Sequence, residues 1–139
     1  MSDSNATTSN YDLALLIGRV ALTPLFLISA YYKIMQWPGI VGLLTTQGAP
    51  MPELGGYLAV AAETALPLLL IIGLWTRWAC FGLILYVLGT CFIAHRFWEF
   101  SGPAQISQTL AFFKNIALCG GLLILAFTGP GRLAVSPKP

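Results

Sequence analysis

Four long apolar runs constrain the fold of this chain more than any other feature. We place them at 13–35, 55–75, 78–97 and 109–128, each close to the roughly 20 residues that an α-helix needs to cross a bilayer. Only 9% of the 139 residues are charged, against roughly 25% in a typical soluble domain. The sequence therefore predicts an all-α integral membrane protein, a four-helix bundle formed by one domain at 13–133.

The segments outside the spans are short. Residues 1–12 are polar and lack the cationic start of a signal peptide, so we predict a disordered N-terminal tail there, and residues 134–139 form a C-terminal tail. Between the first two spans, a short apolar stretch ends in a run of glycine and proline at 48–52. It is too short to cross a bilayer, and we predict a short interfacial half-helix.

An even number of spans places both termini on one side of the membrane. That side carries Arg77, Arg132 and Lys138, and the other carries Lys33 and Arg96. Because cytoplasmic loops are enriched in Lys and Arg, this small excess favours cytoplasmic termini. The net charge of +2 and the lack of a basic cluster argue against a nucleic-acid partner.

Several polar side chains fall inside the predicted spans or at their ends. Glu63 lies well inside the second span, Arg19 lies within the first span, and Lys33 closes it. A charge at the centre of a bilayer costs about 2.5–3.5 kcal/mol on insertion scales, so such residues usually face the bundle and find partners. We predict a buried polar site with Glu63 as the candidate catalytic residue. Its candidate ligand-binding residues are Arg19, Lys33, Glu63, His95, Lys114 and Asn115.

Helical periodicity predicts which faces point inward. One face of the first span and one stripe of the fourth combine small residues with a charge, a pattern typical of packed membrane helices. The first comprises Arg19, Thr23, Phe26, Ala30 and Lys33, and the second Ala111, Lys114, Ala117, Leu118 and Gly121.

Two prolines lie next to these charges. Pro67 has no N–H, so the backbone carbonyl of Glu63, four residues earlier, loses its helical hydrogen-bond donor. In the same way, Pro24 leaves the carbonyl of Val20, next to Arg19, without its helical donor. A free carbonyl next to a charge favours a hydrogen-bonded polar pocket.

Two structural interpretations stay open beside the functional one. Lys33, Arg96 and Lys114 lie near span ends, from which long side chains reach the headgroups, and Arg19 could do so at the opposite face. Glu63 is too short to reach water from its depth. A pair between Glu63 and Lys114 or Arg19 would then hold the bundle together without any ligand.

The composition excludes several kinds of site. His95 is the single histidine, so this chain alone cannot hold a bis-histidine haem. Cys80 and Cys91 would lie about 16 Å apart along one helix, too far for a disulfide. Cys91 and His95 provide only two metal ligands, and we predict no metal site. Chemistry at Glu63 would thus need a bound organic molecule such as a membrane-soluble quinone, because a carboxyl group can relay protons to it.

The ordered polar positions of the chain resemble those of the DoxX family of small bacterial membrane proteins. The resemblance is carried by "IGRVALTPLFLISAYYKIM", by "QGAPMPELGGYLAVAAETALPLLLIIGLWTR" and by "FFKNIALCGGLLILAFTGPGR". It covers Leu13 to Leu133 and implies a four-helix protein of the bacterial inner membrane. The polar positions that it carries over are Arg19, Lys33, Glu63, Arg77, Lys114, Asn115 and Arg132.

The resemblance also implies a class of function. The family takes its name from relatives of a membrane subunit of an archaeal quinol oxidase and thiosulfate:quinone oxidoreductase. It therefore implies a quinone- or lipophile-binding subunit of a redox system, in which a partner protein carries the redox cofactor. A non-enzymatic anchor or assembly subunit and a small transporter are the alternatives. The bilayer surrounds the chain in each case, and self-association into a homo-oligomer stays open.

Overall fold

A computed structural model describes residues 2–136 of the chain, and it describes side chains from Asn10 onward. Met1 and residues 137–139, which include Lys138 of the charge comparison and the end of the predicted C-terminal tail, lie outside the described residues.

Four helical segments are long and apolar enough to cross a membrane, which confirms the prediction of an all-α membrane bundle. The helices are α1 (Ser2–Leu22), α2 (Pro24–Met35), α3 (Trp37–Thr46), α4 (Pro52–Ile72), α5 (Thr76–Ala94) and α6 (Gly102–Thr128), with a 3-10 turn at Phe97–Glu99.

The start of α1 differs from the sequence prediction. The helix begins at Ser2, within the segment 1–12 for which polar composition predicted a disordered tail. Once an apolar span has formed a helix, each further residue adds one hydrogen bond without a new nucleation step. A polar segment next to a membrane span therefore continues the helix more readily than it would form one alone.

Pro24 divides the first span into α1 and α2. The Val20 carbonyl, which loses its helical donor at Pro24, accepts hydrogen bonds from Thr23, whose backbone nitrogen lies 3.2 Å away and whose Oγ1 lies 2.8 Å away. The prediction of a free carbonyl at Val20 is therefore wrong, because the Thr23 hydroxyl replaces the missing donor. Proline fits the first turn of α2, where its N–H is not needed.

The spans pack around α5 and α6, which share the largest helix contact, while α4 packs against α2 and α5. The core between them is apolar and fully buried at Leu70, Cys80, Leu83, Cys91 and Leu122. Buried side chains from this set belong to three of the four spans. The core thus fixes α4, α5 and α6 relative to one another.

The predicted inward faces have different outcomes. Arg19, Thr23, Phe26 and Ala30 are buried, as predicted for the first span. The stripe predicted for α6 points inward only in part. Leu118 packs against the core and Gly121 approaches Leu22, whereas Lys114 is exposed and its neighbour Asn115 is buried. Adjacent residues point about 100° apart on an α-helix, and this rotation keeps the ammonium group out of the packed interior, where it would lack a partner.

The two ends of the bundle are built differently. We call the end with Asp12, the α4–α5 turn and residues 129–136 the termini end, and the opposite end, with α3 and the 3-10 turn, the loop end. At the termini end, the Val135 N–H donates to the Ile72 carbonyl (2.9 Å) and the Arg132 N–H donates to Asp12 Oδ1 (2.9 Å). The last described residues thus cover the C-terminus of α4. The interfacial position of α3 and the side of the membrane that each end faces stay predictions.

Candidate ligand-binding site

Glu63 lies in the interior of α4 with only 5% of its surface exposed. Its carboxylate faces α2 and α5. Lys33 Nζ lies 2.8 Å from each carboxylate oxygen, the Ser29 hydroxyl donates to Oε1 (3.0 Å), and the Tyr86 hydroxyl donates to the same atom (2.8 Å). Four polar side chains from three helices therefore converge on one point inside the bundle, which we call the Glu63 cluster.

The local sequence explains this convergence. Ser29 and Lys33 are four residues apart on α2 and so lie on the same helix face, where Lys33 Nζ also donates to Ser29 Oγ (2.5 Å). Tyr86 reaches Glu63 from α5, which packs directly on α4. The ammonium group of Lys33 thus points into the bundle. The alternative prediction, that the Lys33 side chain reaches the lipid headgroups, is wrong.

The Glu63 cluster forms part of the wall of a cavity of about 850 Å³. Helices α2 to α6 all contribute to this wall, mostly with apolar residues such as Leu25, Leu44 and Leu58. Five of the six predicted ligand-binding residues line it. They are Lys33, Glu63, His95, Lys114 and Asn115.

The polar residues on α5 and α6 lie at other parts of the same wall. Asn115 is buried and Lys114 is exposed, while the His95 ring nitrogen Nδ1 and Gln108 Oε1 form a hydrogen bond (3.0 Å). Arg96 pairs with Glu99 (3.0 Å) at the nearby 3-10 turn. The carboxylate of Glu63 is paired with Lys33, so the predicted Glu63–Lys114 pair is wrong and the Lys114 ammonium stays at the cavity margin.

The cavity has an unpacked side between α2 and α6. At the termini end, α1 packs against both α4 and α6, whereas α2 packs against α4, α1 and α3. Among the described helices, α2 and α6 share at most a weak contact, although Leu25 and Ser29 of α2 and Lys114 and Leu118 of α6 line the same cavity. The loop end of the bundle is therefore open where the termini end is closed.

Arg19 does not line this cavity, although the sequence predicted it as a site residue. It is fully buried, and its guanidinium donates to the Leu70 carbonyl (3.4 Å) and to the Leu133 carbonyl. Its Nε has no partner among the described residues. The prediction of a Glu63–Arg19 pair is therefore wrong, because the carbonyls at the end of α4 and in the C-terminal segment are the acceptors that Arg19 reaches.

Sequence reasoning missed two members of the Glu63 cluster. Ser29 carries a sequence signal, since it precedes Lys33 by four residues and must share its face. Tyr86 has a weaker signal: it shares a helix face with Ala79, Gly82 and Gly89, and small residues of this kind predict an inward face. Neither signal identifies Glu63 as the acceptor without the packing of α2, α4 and α5.

The arrangement is suited to binding the polar group of an otherwise apolar molecule. Glu63 holds a negative charge next to the Lys33 ammonium, and the Tyr86 hydroxyl oxygen retains acceptor capacity beside them. A carboxyl and a phenol within hydrogen-bond distance can also exchange a proton with a bound group. The surrounding apolar wall provides room for the rest of such a ligand.

Four apolar spans around a cavity with a buried ion pair define a small polytopic membrane protein with an internal candidate site. The sequence profile of the DoxX family matches residues 14–96, and the chain belongs to the DoxX family. A second profile, that of the SURF4 family, matches residues 57–138. All residues of the Glu63 cluster lie within the segment that the DoxX profile matches.

Two curated relatives support this assignment. Inner membrane protein YphA of Escherichia coli (strain K12) is 37% identical over 124 residues, which cover 89% of each chain. Inner membrane protein YqjF of the same organism is 29% identical over 132 residues, which cover 89% of this chain and 90% of the relative. No solved structure matches the chain. Together with the four spans, these relatives identify a multi-pass inner-membrane protein.

Proposed function

We propose that this protein is a membrane subunit of a redox system and that its cavity binds a quinone or a lipophile with similar hydrogen-bonding groups. The observation that carries the proposal is the buried Glu63 cluster in the wall of an otherwise apolar cavity of about 850 Å³. Ligand sites typically measure about 300–1,000 Å³ and combine apolar walls with a few convergent polar groups. The cavity has both properties.

The surroundings of the cavity favour a ligand that arrives from the bilayer. The unpacked side between α2 and α6 would face lipid at the loop end, and Leu25 of α2 is exposed there. A lipophile could pass between the two helices without crossing water. Its polar group would then meet Lys33, Tyr86 and Glu63, while its apolar part would remain against the leucine-rich wall.

The chemistry of a quinone matches the available groups. Reduction of a quinone to a quinol adds two electrons and two protons, and the protons go to the two carbonyl oxygens. When they turn away from Glu63, the Lys33 ammonium and the Tyr86 hydroxyl can donate hydrogen bonds to one such oxygen, and Glu63 can relay a proton to it. We assign the two electrons to a redox cofactor on a partner protein and both protons to solvent water, one of them relayed by Glu63. This chain would then bind the quinone and protonate one of its oxygens while the partner reduces it.

The orientation and the partner belong to the same proposal. The predicted excess of Lys and Arg on the side of the termini, which counts Lys138 beyond the described residues, favours cytoplasmic termini. The loop end would then face the periplasm, and Glu63, near the middle of α4, would lie near the middle of the membrane. A redox partner would then meet the protein at the loop end, where the cavity lies. Self-association of two copies would need a membrane face other than the α2–α6 opening.

A second candidate function is a non-enzymatic anchor or assembly subunit. The observation that favours it is the complete pairing of Glu63, whose carboxylate has Lys33 within 2.8 Å of both oxygens and two further hydroxyl donors. Such a set would hold α2, α4 and α5 together without any ligand. The two candidates differ in whether the cavity is occupied by a specific molecule.

Co-purified lipids distinguish these functions. We would extract the lipids bound to the purified wild-type protein in mild detergent and compare them by mass spectrometry with those of Glu63→Gln. The control is Glu53→Gln, which makes the same change at an exposed position in the first turn of the same helix. We expect a quinone in the wild type and the control, and its loss from folded Glu63→Gln. No quinone or other specific lipophile in any of the three proteins would favour the anchor.

A further inference from the structure

A second cavity, of about 270 Å³, lies at the termini end where α5 begins. The start of α5 forms one side of it, and the segment that follows α6 forms the other. Its lining residues are Trp75, Thr76, Arg77, Trp78, Gly129, Pro130 and Ser136. No carboxylate is among them, and none of them belongs to the wall of the larger cavity.

The backbone of α5 presents free donors at this cavity. Trp75, the residue before the helix, has a left-handed conformation (φ 49°), and its side chain does not cap the helix. The first hydrogen bond across the helix start comes from the Ala79 N–H, which donates to the Trp75 carbonyl (3.0 Å). Among the described residues, the N–H groups of Thr76, Arg77 and Trp78 have no acceptor. The N-terminus of a 19-residue helix with free N–H groups attracts anions, because the helix dipole adds to the hydrogen bonds.

The Thr76 side chain is a second, independent observation at this cavity. Thr76 is 3% exposed, and its Oγ1 is buried without a hydrogen-bond partner among the described residues. A buried hydroxyl without a partner is unfavourable, and Thr76 forms part of the cavity wall. An acceptor atom in the cavity would satisfy it.

The side chains around the cavity add positive charge and a membrane-interface character. Arg77 Nε donates to the Ala126 carbonyl (3.1 Å), which holds the guanidinium beside the cavity, and its terminal amino groups have no acceptor among the described residues. Trp75 and Trp78 are 68% and 75% exposed, and exposed tryptophans are enriched at the headgroup level of membranes. Phosphates of lipids occur at that level.

We propose that this cavity binds a phosphate group, and specifically the phosphate of an anionic phospholipid headgroup. The three N–H groups at the start of α5, the Thr76 hydroxyl and the Arg77 guanidinium would donate to its oxygens, and the two tryptophans would contact the glycerol and the upper acyl chains. This site lies at the opposite end of the bundle from the Glu63 cluster and does not depend on the proposed redox function.

The test is native mass spectrometry of the purified full-length protein with phosphatidylglycerol, compared with phosphatidylcholine at the same concentration. We expect Arg77→Gln to weaken the binding of phosphatidylglycerol about tenfold, which corresponds to about 1.4 kcal/mol, because it removes charge-assisted donors. Thr76→Val removes only a hydroxyl at nearly constant volume and should weaken binding about threefold to fivefold, whereas Thr76→Ser should keep the wild-type affinity.

The matched control is Arg132→Gln, which removes an exposed cation at the same end that does not line the cavity. It should change the affinity less than twofold. Inorganic phosphate added in millimolar excess distinguishes a free phosphate ligand from a headgroup. Binding of inorganic phosphate that depends on Arg77 and Thr76, without binding of phosphatidylglycerol, would assign the site to free phosphate and overturn the assignment to a lipid. Equal binding by the wild type, Arg77→Gln and Thr76→Val would overturn the site itself.

Discussion

The loop end and the termini end of the bundle both contain a buried charge, but they stabilise it in different ways. At the loop end, the partners of Glu63 are the side chains of Lys33, Ser29 and Tyr86. Glu63 and these three partners all line an open cavity. At the termini end, Arg19 donates to backbone carbonyls, and the C-terminal segment covers it. Side-chain partners can rearrange around a ligand, whereas backbone acceptors are fixed by the fold.

Under the proposed function, this difference separates a structural charge, Arg19, from a ligand-binding one, Glu63. Both charges would be costly inside a bilayer without partners. Arg19 reaches the Leu70 carbonyl in the last turn of α4, which also accepts from the Gly73 N–H (3.1 Å), and the Leu133 carbonyl in the C-terminal segment. Glu63 lies in mid-helix, where only side chains from other helices can reach it, and the space beside those side chains forms the cavity.

The largest effect that we expect comes from loss of the Arg19 guanidinium. Arg19→Met keeps an apolar chain of similar length but removes two charge-assisted hydrogen bonds, each worth about 1.5–3 kcal/mol, so we expect the free energy of unfolding to fall by about 3 kcal/mol. Reversible unfolding in mixed micelles with increasing denaturing detergent measures this change. Arg132→Met, at an exposed position of the same end, should change stability by less than about 0.5 kcal/mol. Equal stability of the two variants would contradict a structural role for Arg19.

A smaller loss of stability should follow from Gly73→Ala. Gly73 has a left-handed backbone (φ 71°), and a Cβ at this position would collide with the Arg19 guanidinium and with Ala134. We expect a loss of about 2 kcal/mol, since strain of this kind costs about 1–3 kcal/mol. The control is Gly120→Ala, because Gly120 lies in α6 with open space around it. An equally mild effect of both changes would show that the contact between Arg19 and the C-terminus of α4 is loose.

The smallest of the three effects should be the coupling between Lys33 and Glu63. A double-mutant cycle with Lys33→Met and Glu63→Gln isolates it. Each single change leaves one partner of the pair unpaired. We therefore expect the double variant to lose about 1–2 kcal/mol less unfolding free energy than the sum of the losses in the two single variants. Strict additivity would mean that the ion pair seen at 2.8 Å contributes nothing, and the anchor interpretation would lose its main support.

The sequence predicted the helical architecture better than the partners of the charged residues. Span length and hydropathy are local properties, so four apolar runs suffice to predict four spans. The inward face of the first span followed from the spacing of Arg19, Thr23, Phe26 and Ala30, all of which are buried. The break between α1 and α2 also follows from Pro24, although the hydrogen bond from the Thr23 hydroxyl to the Val20 carbonyl does not follow from a count of lost hydrogen bonds.

Pairing between helices could not be predicted from the sequence, because it depends on the relative rotation of the spans. Glu63 had several cations at a similar depth, and only the packing of α2 against α4 selects Lys33. Arg19 was grouped with the site because of its charge and the nearby Pro24, whereas its acceptors lie 51 and 114 residues away in the sequence. Lys114 and Asn115 are adjacent but point about 100° apart, so the rotation of α6 about its axis decides which of them is buried.

The comparison between the two ends can be tested in one measurement. We would titrate wild type, Glu63→Gln and Arg19→Met in lipid nanodiscs with a short-chain ubiquinone and a short-chain menaquinone, and express the bound quinone per folded molecule. We predict that folded Glu63→Gln loses binding at least about tenfold, since a charge-assisted hydrogen-bond network is removed. Folded Arg19→Met should bind within about twofold of the wild type, despite its lower stability. Equal binding by all three proteins, or an equal loss in both variants, would contradict the assignment of the loop-end cavity as the ligand site.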